Sequence, residues 1–130
     1  CTGASLHLIR PLGFSTDEKA VKRAGLDYWD EVEIYYYDSF SELEAEYPEA
    51  NFYLATKFAT KFYTEVNYSS EDFIVFGRET AGLPDEIMER YSDSCIRIPM
   101  LPQLRSLNLA NSVSIILYEA LRQIGFNDLV

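Results

Sequence analysis

Short apolar runs alternate with amphipathic segments along the chain. The runs are rich in β-branched and aromatic residues and end in polar or glycine-containing loops, which is typical of buried strands. They lie at residues 5–10, 32–37, 51–56, 73–76 and 94–98. Because segments of helical pattern alternate with these runs, the order predicts an α/β fold with a parallel sheet. At 130 residues the chain has the size of a single domain, which we place at residues 1–130.

Capping residues mark where the predicted helices begin. Residues 15–17 precede a short helical segment at 18–24, Ser39 precedes one at 40–47, and Pro84 stands at the start of a third. In the second of these, apolar residues recur three and four positions apart, so they form the face that meets the core.

The closing segment, residues 107–124, predicts a long helix with an unusually wide apolar surface. Its only charged residues are Glu119 and Arg122. One stripe carries Leu107, Ala110, Ser114, Leu117 and Leu121, with Val113, Ile116 and Ala120 beside it. A helix this apolar must bury more than one side, so we predict that the protein is a homodimer.

Composition narrows the class of protein. Hydrophobic residues make up 48% of the chain and aromatic residues 15%, more than a disordered chain carries. The 11 basic and 21 acidic residues give a net charge of −10, which argues against nonspecific binding to a polyanion. Any nucleic acid must therefore meet a local basic patch. No apolar run is long enough to span a bilayer and the start lacks a secretory signal, so we expect a cytoplasmic protein without a membrane partner.

Several classes of active site have no support in the sequence. Neither the Rossmann G-x-G-x-x-G motif nor the P-loop motif is present. His7, the sole histidine, falls in a strand run where a core position is favoured over a catalytic one, which disfavours a Ser-His-Asp triad. Cys1 and Cys95 form no Cys-x-x-Cys pair, so neither a disulfide framework nor a metal site is indicated. Cys95 is expected to pack as a small apolar residue.

The most informative segments follow the last apolar runs. They are FGRETAGLP at 76–84, RIPM at 97–100 and RSLNLAN at 105–111. Each begins where a strand-like run ends, and together these turns could wall a pocket for a small flat cofactor. Gly77 and Gly82 allow a ligand to approach the main chain closely, although a tight turn that binds nothing explains two glycines equally well. Glu79 is either a surface acid or an acceptor that organises this loop.

These motifs, in this order, carry a resemblance to a known family. LATK at 54–57, FGRETAGLP, RIPM and RSLNLANSVSIILYEALRQ closely resemble the SPOUT-class RNA ribose 2′-O-methyltransferases, and in particular the bacterial enzymes that methylate cytidine or uridine at the wobble position of tRNA. The earlier segments LIRPLGF and KRAGLDY resemble the same family, so the likeness extends over essentially the whole chain.

The resemblance implies a fold, a cofactor and a set of site residues. The fold is an α/β knot, in which the C-terminal loops and helix thread into a trefoil and hold S-adenosylmethionine through main-chain groups. The cofactor-binding residues that it implies are Leu54, Thr56, Gly77, Glu79, Gly82, Leu83, Ile98, Pro99, Met100, Ser106 and Leu107. The side chains of Leu54, Ile98, Met100 and Leu107 would enclose the adenine. No metal is implied.

The resemblance also implies catalytic residues. Tyr118 would position the target nucleotide, unless its phenol packs at the dimer seam, while Ser106 and Asn108 would shape the loop. Independently of the resemblance, Lys22, Arg23, Arg78 and Arg105, together with Lys19, Lys57 and Lys61, could converge into a patch for a tRNA anticodon stem-loop, unless each of them only solvates its own loop. The alternatives are a noncatalytic binding or assembly module with the same fold, and a methyltransferase that acts on another RNA ribose.

The sequence differs from the family pattern at its start. It begins Cys1-Thr2-Gly3, without an initiator methionine, and enters a strand almost at once. The family's first strand and its following motif, with an arginine proposed to assist the hydroxyl, would lie upstream. We therefore expect a chain that is truncated at its N-terminus.

Overall fold

The computed structural model describes residues 1–10, 31–104 and 107–130. The predicted helix at 18–24 and four predicted site residues, Lys22, Arg23, Arg105 and Ser106, lie outside the described residues. The chain divides into two compact units, Cys1–Glu49 and Ala50–Val130. The prediction of a single domain over residues 1–130 stays a prediction.

The first unit contains a parallel strand pair followed by a helix. Strand β1 (Leu6–Ile9) pairs with β2 (Ile34–Tyr37) in a register that sets Leu6 opposite Ile34. Helix α1 (Phe40–Glu46) begins where predicted, because the Ser39 hydroxyl accepts a hydrogen bond from the Glu42 amide at 3.3 Å. Phe40 and Leu43 are buried, which confirms the predicted core face of this helix.

His7 lies in an aromatic cluster of this unit. Its ring stacks on Tyr35 and Tyr37, with centroids 4.8 and 5.8 Å away, and its Nδ1 is 3.1 Å from the Tyr37 hydroxyl oxygen. Burial lowers the pKa of His7, while Glu46 acts in the opposite direction. Burial and the neighbouring Glu46 also raise the pKa of Tyr37 to about 12. The cluster confirms that His7 is a near-core residue.

This environment predicts that acid destabilises the first unit through His7. The folded-state pKa lies below the unfolded value of about 6.5, so the unfolded chain binds the proton more readily. The contribution to stability is therefore complete above pH 6.5 and is lost as the pH falls through the folded-state pKa. We expect the urea midpoint to fall from pH 7.5 to 5.5 in the wild type and to change less in His7→Phe. If the urea midpoint changed equally with pH in the two proteins, this explanation would be contradicted. His7 is the sole histidine of the chain, so no other imidazole contributes to the difference.

The second unit is built on a three-stranded parallel sheet. Its strands are β3 (Phe52–Ala55), β4 (Phe73–Phe76) and β5 (Cys95–Ile96), in the spatial order β4-β3-β5. Helix α2 (Asp85–Arg90) and a short 3₁₀ helix (Ser92–Ser94) lie between β4 and β5 in the chain. Helix α3 (Leu109–Ile124) follows β5. The parallel strands confirm the predicted α/β fold with a parallel sheet, and the knot stays a prediction.

The last strand is shorter than predicted. The expected range of 94–98 was too long, because Ser94 ends the 3₁₀ helix and Arg97 has left the sheet to form an isolated bridge with Phe62. Only Cys95 and Ile96, which lie opposite Leu54 and Ala55, pair with β3 as a strand.

Side chains pack on both faces of the central strand β3. On one face Ile96 joins Val66, Tyr68 and Ile116 in a buried cluster, with Ala120 packed against it. On the other face Phe52 stacks on Phe73 with ring centroids 5.0 Å apart, and it meets Tyr91 edge-on. Cys95 is buried there, and its thiol donates to the Tyr91 carbonyl oxygen at 3.4 Å, which confirms its packing role.

Helix α3 buries a narrower face than the predicted stripe. Ile116 is its one fully buried residue, whereas Ala110 and Ser114 of the stripe are exposed and Leu107 precedes the helix. The helix begins two residues later than predicted because the Asn108 side chain caps it, accepting from the Asn111 amide at 3.3 Å.

A polar contact fixes α3 against a segment far from it in sequence. The Gln123 amide donates to the Val66 carbonyl oxygen at 3.0 Å and accepts from the Tyr68 amide at 2.9 Å. The same amide donates to Glu119 at 3.1 Å. Hydrogen bonds from Arg122 and Gln123 lower the pKa of Glu119, so this carboxylate stays ionised and holds the Gln123 side chain in position.

Candidate functional site

Three loops leave the sheet of the second unit at one edge. Ala55 is the register partner of both Phe76 and Ile96, and the three strands run parallel. Their next residues, Thr56, Gly77 and Arg97, therefore begin loops side by side. The Thr56 amide continues the ladder by donating to the Ile96 carbonyl oxygen at 2.9 Å. The carboxyl edge of a parallel sheet is where α/β proteins bind ligands, so this edge is the candidate site.

The loop after β4 closes tightly on itself. The Arg78 amide donates to the Gly82 carbonyl oxygen at 3.3 Å, and the Gly82 amide donates back to Arg78 at 2.9 Å. A Cβ atom built on Gly77 would overlap the carbonyl carbon of Gly82 and the amide nitrogen of Leu83. Gly82 has φ +68°, in the left-handed region, with open space where its Cβ would stand. Both glycines are therefore required by the backbone of this loop.

The loop after β5 supplies the apolar part of the edge. Ile98 is half-buried and packs against the cluster that contains Ile96. Met100 is also half-buried, while Pro99 and Leu107 are exposed. An exposed leucine and an accessible methionine at the carboxyl edge give a ligand an apolar surface to contact.

One part of the predicted cofactor site is wrong. Leu54 is fully buried in the core, because the central strand turns alternate side chains into a covered face. Its side chain cannot enclose an adenine ring, so only its main chain remains available to a ligand.

The other predicted site residues that the structure describes lie on the three loops or at α3. Thr56 and Leu83 are half-buried, while Glu79 and Arg78 are exposed on the closed loop. Asn108 caps α3, as expected of a residue that shapes the loop, and Tyr118 is 48% exposed on that helix. The register thus brings the starts of the three loops together at one edge, and Tyr118 lies on the helix that follows the last of them.

A cleft of about 460 Å³ lies beside this edge and was missed by the sequence analysis. It is lined by Thr56, Phe58, Ala59, Thr60, Asp85, Met88, Glu89, Ser92 and Cys95. Among the predicted cofactor residues that the structure describes, Thr56 alone lines it. The cleft combines residues from the loop after β3 with residues of α2, and no local sequence pattern links these two segments.

In residues 1–10, 31–104 and 107–130, no three or more His, Cys, Asp and Glu residues are grouped so that they could hold a metal ion. In the same ranges, no helix has the length and apolar character needed to cross a bilayer.

Comparison with known proteins identifies the family. The model of the SpoU rRNA Methylase family matches residues 1–118, so the match extends into both units of the chain. The chain belongs to the SpoU rRNA Methylase family. This confirms the resemblance read from the loop motifs, and it makes the protein an RNA methyltransferase by family.

The names of individual relatives specify the reaction more closely than the family description does. A protein of Saccharophagus degradans named tRNA (cytidine(34)-2′-O)-methyltransferase is 50% identical over 129 residues, which cover 96% of this chain and 82% of that protein. A solved structure described for the 2-OH methylation of C/U34 on tRNA matches with a TM-score of 0.85 and 41% identity, covering 94% of this chain and 80% of that one.

A third match includes a bound cofactor. The AdoMet-bound rRNA methyltransferase of Sinorhizobium meliloti has a TM-score of 0.73 and 25% identity, covering 92% of this chain and 46% of that one. A protein that shares this fold therefore binds S-adenosylmethionine.

Proposed function

We propose that the protein transfers a methyl group from S-adenosylmethionine to the ribose 2′-hydroxyl of nucleotide 34, the wobble nucleotide of tRNA. The target is cytidine or uridine. The observation that carries this proposal is the 50% identity over 96% of the chain with a protein named for that reaction. The three loops at one sheet edge supply a physical site for it.

The main-chain groups of these loops fit the cofactor. Gly77 lets the loop close onto Gly82, and Gly82 leaves open space beside its own backbone, where a ligand has room to approach the main chain. The described residues proposed to hold it are Leu54 through its main chain, Thr56, Gly77, Glu79, Gly82, Leu83, Ile98, Pro99, Met100 and Leu107. Ser106 joins this set as a prediction from the sequence.

Chemistry at the site requires positioning more than activation. Bound S-adenosylmethionine supplies a methyl group on a sulfonium, which is already a strong electrophile. The protein would hold the ribose oxygen in line with that methyl group; the oxygen would take up the methyl group, the hydroxyl proton would pass to water and S-adenosylhomocysteine would be left. Tyr118 is proposed to position the nucleotide, with Asn108 and Ser106 shaping the loop before α3.

We also propose a trefoil knot and a homodimer. The knot would thread the segment around residues 97–108 through the chain near the closed loop, as the family resemblance implies. The dimer would bury the exposed face of α3 at Ile115. An apolar side chain exposed on a helix favours such an interface.

The RNA partner is proposed to be a tRNA anticodon stem-loop, bound in the cytoplasm. Lys22, Arg23, Arg78 and Arg105 are proposed to contact its phosphates. A local patch is required because the net charge of −10 provides no general attraction for RNA.

Methyl transfer to defined tRNAs tests the proposal. The full chain is incubated with radiolabelled S-adenosylmethionine and tRNA transcripts that carry cytidine or uridine at position 34, and the methylated nucleotide is mapped by mass spectrometry. A matched transcript with 2′-deoxycytidine at position 34 is the control. We expect methylation at nucleotide 34 of the ribose substrates and none in the control.

Other outcomes select other functions. Methylation at a different ribose would identify a methyltransferase with another RNA site. Binding of S-adenosylmethionine without transfer to any tRNA would favour the noncatalytic module, and no binding at all would overturn the proposed function.

A further inference from the structure

The loop that follows β3 exposes two aromatic rings among basic residues. It repeats a three-residue pattern, Thr56-Lys57-Phe58 and then Thr60-Lys61-Phe62. Phe58 is 72% exposed and Phe62 is 43% exposed. The Lys57 ammonium group lies 5.3 Å from the centre of the Phe58 ring. With 72% of its surface exposed, Phe58 contributes little packing in its own unit, so its ring is accessible to a ligand.

The backbone beneath Phe58 is held in place. The Ala59 amide donates to the Thr56 carbonyl oxygen at 3.2 Å, and the Ala59 side chain is buried. The Arg97 amide donates to Lys61 at 2.9 Å, and the Tyr63 amide donates to Arg97 at 2.8 Å. The ring therefore lies on an ordered loop. A ligand that stacks on the ring would bind without the entropy cost of ordering the backbone.

The surroundings of Phe58 indicate which part of a nucleic acid would meet it. Phe58 lines the cleft of about 460 Å³, and Asp85 and Glu89 line the same cleft. These carboxylates repel phosphate but accept hydrogen bonds from the exocyclic amino groups of bases. A base is thus favoured inside the cleft, with its phosphate outside, toward Lys57.

We propose that Phe58 is a stacking platform for an unpaired base of the substrate RNA and that Lys57 contacts the adjacent phosphate. The proposal rests on the proposed function, because the loop leaves the same sheet edge as Gly77. A base on Phe58 would lie beside the proposed site of methyl transfer. Stacking also suits a chain with a net charge of −10, since it requires no broad basic surface.

The test compares Phe58→Ala with Phe58→Trp, and Phe126→Ala is the matched control. Phe126 is 41% exposed and follows the end of α3, away from the loop after β3 in the sequence. For each protein we measure the Kd for a tRNA with the proposed target nucleotide, the Kd for S-adenosylmethionine and the mass in solution. Stacking on an aromatic ring contributes about 1–3 kcal/mol per base, which converts to about 5- to 150-fold in Kd.

We expect Phe58→Ala to raise the tRNA Kd by that factor, and Phe58→Trp to restore it to within about threefold of the wild type. The control should bind tRNA as the wild type does, and all variants should keep the S-adenosylmethionine Kd. Lys57→Ala should make the plot of log K against log salt shallower by about 0.7.

Each contrary result has a distinct meaning. If wild-type protein methylates nucleotide 34 but Phe58→Ala binds tRNA equally well, the platform is wrong and the proposed function stands. If Phe58→Ala changes the mass in solution, the ring is a contact between copies of the chain. If it raises the S-adenosylmethionine Kd instead, Phe58 belongs to the donor site. If the wild type neither binds the donor nor methylates tRNA, the proposed function itself fails.

Discussion

Replacing Gly77 with valine is expected to abolish the binding of S-adenosylmethionine. Even the first side-chain atom would lie 2.7 Å from the Gly82 carbonyl oxygen and would overlap the neighbouring backbone atoms. Those atoms belong to the main chain of a closed turn, so they cannot rotate away as a side chain would. The loop must open, and the amides and carbonyls proposed to hold the cofactor move with it. We expect the Kd, measured by calorimetry, to rise by about 100-fold, which corresponds to about 2.7 kcal/mol and lies at the upper end of the cost of overpacking, because the clash is with main-chain atoms.

Gly82→Ala is the matched control for that result. A methyl group at this position meets open space, so the variant pays only for the left-handed backbone angle of +68°. That strain is about 1–2 kcal/mol, and the expected effect on the Kd is correspondingly smaller. The unfolding temperature and the mass in solution should show that both variants still fold and associate. Unchanged affinity in Gly77→Val would place the cofactor elsewhere.

Replacing Ile116 with alanine is expected to lower the free energy of unfolding by about 2–5 kcal/mol. Ile116 is fully buried in a cluster with Ile96, Val66 and Tyr68, so its loss leaves a cavity where α3 meets the sheet. The neighbouring residue supplies the control, since Ile115 is 36% exposed on the same helix. Ile115→Ala should change the unfolding free energy of the subunit by less than about 1 kcal/mol. Urea titration of both variants measures the contrast.

The same pair of variants tests the proposed dimer. If the exposed face of α3 is the interface, Ile115→Ala weakens association by about tenfold, as expected for losing part of one buried aliphatic side chain. Sedimentation over a range of concentrations measures that change. If Ile115→Ala left the association of the dimer unchanged, the interface would lie on another surface. If both variants lowered the free energy of unfolding equally, α3 would be packed differently.

Local patterns predicted most of the elements, because they depend on neighbours in sequence. The Ser39 cap and the spacing of Phe40 and Leu43 were sufficient for α1, and β-branched and aromatic runs were sufficient for β3 and β4. The short β5 was not predictable, since its end depends on a bridge between Arg97 and Phe62, 35 residues apart in sequence. The buried face of α3 was also missed, because an apolar stripe does not say which of its residues meets a sheet.

The candidate site was also predictable from the sequence only in part. Gly77 was identified from sequence, but the reason that it must be glycine is the approach of Gly82, which only the folded loop shows. Leu54 was assigned to the cofactor for its apolar side chain, whereas its central position in the sheet order β4-β3-β5 buries that side chain. Phe58 follows the apolar run at residues 51–56, and no pattern in the sequence marks its side chain as exposed.

The position of Ile116 has a consequence for synthesis in the cell. Ile96 and Ile116 share one cluster, yet a ribosome adds Ile116 20 residues after Ile96, which takes about one to four seconds at ordinary elongation rates. During that interval Val66, Tyr68 and Ile96 have been made but lack the helix that covers them. The nascent chain then exposes this cluster to proteases and to chaperones that hold unfolded chains. A truncated mRNA that ends before α3 would therefore yield a protein that is degraded.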